Sequence, residues 1–126
     1  MDSMAPFHIR ARVMSGGEIA MGPGKADLLE AIEANGSISA AGRAMGMSYR
    51  RAWLLVDAMN RCWSAPLVET VSGGSHERGA RLTELGQRVL EAYRLLQHRL
   101  AQALGSDDLS LLKESVRAEP VAPKQG

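Results

Sequence analysis

The stretch from Ser37 to Cys62, SISAAGRAMGMSYRRAWLLVDAMNRC, constrains the fold more than any other part of the chain. It reads as two helices joined by a tight turn. Ser39 is placed to cap a short helix over Ala40–Met45, and Gly46 to end it with positive φ. Ser48 then caps a longer helix running to about Cys62. Two helices separated by a three- or four-residue turn containing glycine form a helix-turn-helix, whose second helix meets base edges in the DNA major groove with its first residues.

The phase of the longer helix fits that arrangement. At about 100° per residue, Ser48, Ala52, Leu55, Val56, Met59 and Trp63 fall on one apolar arc. Arg50, Leu54, Asp57 and Arg61 occupy the opposite arc, with Arg51 and Trp53 on its flanks. Arginine suits such a face because its planar fork donates two parallel hydrogen bonds to a guanine edge or a phosphate. The bland alternative is a pair of arginines that only solvate an exposed face. Charge favours the first reading locally. The net charge is only +1, yet from Ser37 to Leu82 six arginines stand against three acids.

The rest of the chain reads as support for this unit. Residues 1–22 are expected to hold a loose leader and a short hairpin: Phe7, Ile9, Ala11 and Val13 alternate with polar positions, Ser15-Gly16-Gly17 turns, and Glu18–Met21 returns. After Gly22-Pro23-Gly24, a helix over Lys25–Ala34 buries Leu28, Leu29 and Ile32 and turns its charges outward as scaffolding. Beyond the long helix, Leu67–Val71 and Ala80–Leu82 pair around the glycine-rich loop Ser72–Gly79. His76, Arg78 and Arg81 there are candidate contacts to the DNA backbone or minor groove, with Glu77 opposing a simple phosphate clamp; a hairpin tip without a partner is the alternative.

Thr83 caps a last helix to about Leu104. Its apolar positions Leu85, Val89, Ala92, Tyr93, Leu96 and Leu100 form a stripe about 30 Å long, more than a small core covers. Two readings stand: the surplus meets a second copy across a two-fold axis, or the helix folds back wholly on its own core. Residues 105–126 read as a polar, disordered tail in which Leu109–Val116 is a weak helix. The expected fold is therefore mainly α with short β hairpins: a winged helix-turn-helix over 23–104 ending in a long dimerisation helix.

Enzyme chemistry is not expected. His8, Cys62, His76 and His98 show neither metal-ligand nor catalytic spacing, and Gly22-x-Gly24 lacks the Gly-Lys-Ser/Thr of a phosphate loop. No metal or cofactor is expected from the residues. The single cysteine forbids an internal disulfide and suits a reducing cytoplasm, and no stretch approaches the ~20 apolar residues of a membrane span.

The block AMGMSYRRAWLLVDAMNR, with PLVE, the glycine-rich wing and ARLTELGQRVL, resembles the amino-terminal DNA-binding domain of ModE-type molybdate-responsive transcriptional regulators. More distantly, Ser-x-Ser-Ala-Ala and Leu-Thr-x-x-Gly resemble the winged helix of LysR-type regulators. The resemblance implies a homodimer joined through its last helix and bound to a palindromic operator. It implies DNA contacts from Tyr49, Arg50 and Arg51, with the wing at 72–79; Ser39, Arg43, Ser48 and Leu54 around them are further candidate DNA-binding residues. Regulators of this type continue into domains that bind molybdate or tungstate. Residues 105–126 offer no comparable oxyanion pocket, so the expectation is a regulator lacking the sensing domains. A heterodimer with a full-length relative is a further expectation. A protein-interaction module working through a partner is the competing function.

Overall fold

The computed structural model describes residues 7–73 and 76–124, with the side chains of 72–78 excepted. In chain order it contains β1 (Val13–Ser15), β2 (Glu18–Met21), α1 (Pro23–Asn35), α2 (Ile38–Ala44), α3 (Tyr49–Cys62), β3 (Val68–Gly73), β4 (His76–Leu82) and α4 (Glu84–Ala103). A 3-10 turn at Asp107–Leu109 leads into a short helix, α5 (Ser110–Ser115), which exposes Leu111 and Leu112. The strands form two antiparallel hairpins, β1–β2 and β3–β4. A helix-turn-helix followed by a hairpin is the winged-helix arrangement.

Local signals place most helix ends. Pro23 opens α1, where its missing N–H costs nothing. Gly36 closes α1 at φ 79°, and its N–H bonds back to the Ile32 carbonyl at 2.8 Å. Gly36 also receives Ala80 N–H on its own carbonyl at 2.8 Å, tying the end of α1 to β4. The α2–α3 turn contains Gly46 at φ 72°, as the sequence predicts. The first cap of α2 differs from expectation: Ser37, not Ser39, accepts Ala40 N–H at 3.0 Å. Starting two residues earlier puts Ile38 into the core, and burial of that side chain favours Ser37.

One core serves the described fold. Met21, Leu28, Leu29, Ile32, Ile38, Met59 and Leu67 are its largest fully buried side chains. Gly42 in α2 lets α3 approach, because a Cβ there would stand 3.2 Å from the Ala52 Cβ. The β1–β2 hairpin joins this core rather than hanging from it: Met21 is buried, and Trp63 donates its indole N–H to the Ala20 carbonyl at 3.0 Å.

Two strand expectations need correction. The alternating run from Phe7 pairs only from Val13 onward. Its partner β2 ends at Met21, where Gly22-Pro23 turns the chain into α1, so residues 7–12 find no strand to bond. In the wing, the glycine-rich segment is ladder instead of open loop. Pairing continues through Ser72↔Glu77 to Gly73↔His76, past an irregularity at Val71/Ser72.

The Leu-Thr-x-x-Gly stretch acquires a mechanical meaning at the wing's exit. Leu82 is buried, and the Thr83 hydroxyl accepts Gly86 N–H at 3.0 Å while donating to the Pro66 carbonyl at 2.7 Å. Thr83 N–H bonds the Leu67 carbonyl at 2.9 Å. A Cβ on Gly86 would overlap that same carbonyl oxygen. Helix α4 thus rests directly on the backbone that leads into β3.

Candidate nucleic-acid interface

Helix α3 stands with its first turn outward. The Ser48 hydroxyl accepts Arg51 N–H at 3.1 Å, fixing the helix start. Arg50 and Arg51 are exposed, and neither guanidinium has an ion-pair partner among the described residues. Tyr49, Trp53 and Leu54 leave 48, 45 and 46% of their surface uncovered, although apolar side chains of that size are usually drawn inward. An outward face with two unpaired cations and three wet apolar groups suits a groove that offers phosphates, base edges and thymine methyls.

Among the described side chains, the other cations on α3 and the wing, Arg61 and Arg81, are already engaged. Arg61 bonds Asp57 at 3.0 Å and lies 3.6 Å from Glu18. The Asp57 carboxylate, through that hydrogen bond first, holds the Arg61 guanidinium above its ordinary pKa. Arg81 bonds Glu69, its cross-strand neighbour, at 2.7 Å. Ser39 lies within α2, half-buried, and accepts from Arg43 Nη1 at 2.9 Å; the Arg43 side chain itself is exposed. The side chains of His76 and Arg78 lie outside the described residues.

The wing is fastened to α3 by Asn60. Its Oδ1 accepts from Leu67 N–H at 2.8 Å and Val68 N–H at 3.1 Å, and its Nδ2 donates to the Val68 carbonyl at 3.1 Å. Three hydrogen bonds thus join α3 to the start of the wing. Sequence reasoning missed this residue, since its partners Leu67 and Val68 lie beyond the helix and nothing local sets it apart from any polar position of α3. It also missed Lys25, which the helical phase of α1 assigns to solvent. Lys25 instead lines a cleft of 380 Å³ with Glu18, Ser48, Arg50, Arg51 and Leu54.

Helix α4 divides its apolar residues between two roles. Tyr93 is buried and donates its hydroxyl to the Ala11 carbonyl at 2.8 Å; burial pushes its phenol pKa up. Leu85 and Val89 pack against the core, and Leu100 is half-buried. Leu95, Leu96 and Ala92 stay exposed, and Ala92 and Leu96 border an apolar groove of 210 Å³ with Val13, Met21 and Trp63. Arg94 clamps α4 to α1 through Asp27 and Glu30, both at 2.9 Å. Cys62 is half-buried. No helix among the described residues is long and apolar enough to cross a membrane, and none of their His, Cys, Asp and Glu side chains group to hold a metal.

No protein-family model matches the chain. By sequence it is 43% identical over 91 residues to the molybdenum-pterin-binding protein MopB of Rhodobacter capsulatus, covering 72% of this chain and 34% of that protein. It is 43% identical over 77 residues to the molybdenum transport protein ModE of Azotobacter vinelandii, covering 61% and 28%. It is 38% identical over 89 residues to the DNA-binding transcriptional dual regulator ModE of Escherichia coli K12, covering 68% and 34%. The chain spans about a third of the length of the curated relatives it matches. By structure it is similar to a LysR family transcriptional regulator, with a TM-score of 0.52, 17% identity and coverage of 74% of this chain and 30% of that one. The relatives thus bear out the resemblance carried by the Ser48–Arg61 block, and the structural neighbour that of the fold.

Proposed function

We propose that this chain, a homologue of the ModE-type regulators over most of its length, is a sequence-specific DNA-binding unit of a molybdate-responsive transcriptional regulator. It acts as a homodimer on a palindromic operator in the cytoplasm. The observation that carries the reading is the start of α3: a serine-capped helix presenting Arg50 and Arg51 outward with no ion-pair partner among the described residues. Arg50, Arg51, Tyr49 and Leu54 address base edges, while Ser39, Arg43, Ser48 and the wing, with His76, Arg78 and Arg81, address the backbone.

Dimerisation follows from α4, whose exposed Leu95, Leu96 and Ala92 continue the stripe that Leu85, Val89 and Tyr93 begin. Two copies joined there present two reading helices, as a palindromic site requires. The unit spans 23–104, stiffened by the β1–β2 hairpin and followed by the segment 105–126. The exposed apolar side of α4 equally supports the second reading, an interaction module working through a partner.

Fluorescence anisotropy against upstream DNA and a scrambled duplex, over a salt series with and without molybdate, tests the proposal. Operator-selective binding that weakens steeply with salt is the expected result. Equal absence of binding to both duplexes would refute it and leave the interaction module.

A further inference from the structure

A recognition helix in the major groove fills it, since the helix is ~10–12 Å across and the groove ~12 Å wide. A strand of phosphates then runs along each of its flanks. On one flank of α3, Asn60 bonds β3 and the wing stands alongside. About 160° away by helical phase lies Ala58, with Arg51 and Leu55 beyond it, and here the cleft of 380 Å³ opens between α3, β2 and the first turn of α1. Lys25, Arg50 and Arg51 line it, with Ser48 between them.

The charges in this cleft do not balance. Glu18 is the one acid among its described lining residues, and it is drawn toward Arg61 at 3.6 Å. Lys25, Arg50 and Arg51 have no ion-pair partner among the described residues. Two separate helices, each held by its own buried residues, thus present like charges to one space, and an anion between them relieves the repulsion.

We propose that this cleft seats a phosphate of the DNA strand on the side of α3 opposite the wing, with Lys25 reaching it from α1. The inference rests on the DNA-binding reading and extends the protein's footprint to a helix otherwise read as scaffolding. Lys25 carries no sequence information. It sets how the reading helix sits in the groove.

The test uses the full chain and a fluorescein-labelled duplex of random sequence, about three helical turns or ~30 bp long, across a salt series. Lys25→Ala is expected to lower the slope of log affinity against log salt by ~0.9, one phosphate contact, which at ~0.1 M salt weakens binding about eightfold. Lys25→Arg keeps both values. Arg117→Ala removes an exposed charge outside the cleft and leaves both unchanged. Unaltered slope and affinity in a folded Lys25→Ala protein, beside a wild type that binds, overturn this inference and spare the broader reading. A wild type that binds no duplex overturns both. Replacing chloride by inorganic phosphate at equal ionic strength is expected to change nothing. A phosphate-specific loss that vanishes in Lys25→Ala would assign the cleft to a free anion and overturn the DNA contact.

Discussion

Asn60→Ala probes the joint on which the reading surface depends. The side chain makes three bonds to the first residues of the wing, at 2.8, 3.1 and 3.1 Å, and both residues it holds, Leu67 and Val68, are buried. Each such bond contributes about 1 kcal/mol net, and a backbone group left dry and unpaired costs about 1–3 kcal/mol. The substitution should therefore destabilise the fold by about 3 kcal/mol. With a urea slope of ~1–3 kcal/mol per molar, the midpoint falls by roughly 1–3 M, read by circular dichroism. Asn60→Asp separates these bonds from simple loss of bulk. It keeps both acceptor contacts, loses the donor to the Val68 carbonyl, and sets a carboxylate oxygen against that carbonyl, for a cost of about 1–2 kcal/mol. An alanine variant costing less than about 1 kcal/mol, or no more than the aspartate, would refute the view that these bonds hold wing to helix.

Other consequences follow from single contacts. Gly86→Ala drives a Cβ into the Leu67 carbonyl, so α4 must shift; a loss of about 3 kcal/mol, or more than ~10 °C in melting temperature, is expected by calorimetry. Tyr93→Phe removes the bond to the Ala11 carbonyl and should cost about 1 kcal/mol near neutrality. Burial raises the Tyr93 pKa in the folded state, so its contribution is complete below the unfolded pKa of about 10 and is lost as pH rises through the folded value. Tyr93→Phe should accordingly flatten the alkaline fall in stability, measured by denaturation at several pH values above about 9. Arg50→Ala should lose about 1–3 kcal/mol on the operator and much less on random DNA in anisotropy titrations; equal losses on both would reassign Arg50 to the backbone.

The helix-turn-helix was legible because its signals are local. Ser48 and Thr83 cap helices, Gly36 and Gly46 adopt positive φ, and the period of α3 separates Ala52, Val56 and Met59 from Arg50 and Leu54. Each of these follows from residues a few positions apart, so no distant partner is needed to read them. The resemblance to ModE-type regulators rests on the same contiguous block.

What the sequence left open depends on groups far apart in the chain. Alternation at residues 7–13 states a preference for extended backbone, but a strand exists only where another strand offers bonds, and β2 stops at Met21. Ser39 was expected to cap α2, and the burial of Ile38 in a core built from four helices and both hairpins moves the cap to Ser37. Trp63 reaches Ala20, Tyr93 reaches Ala11, and Lys25 comes to lie beside Arg50 and Arg51. By itself the sequence determined which segments are helical and which face of α3 looks outward, because propensity, capping and periodicity act within a turn or two. Only the tertiary structure decided which cations keep a free charge and which polar groups fasten the wing, because those outcomes depend on which distant partner arrives within hydrogen-bond reach.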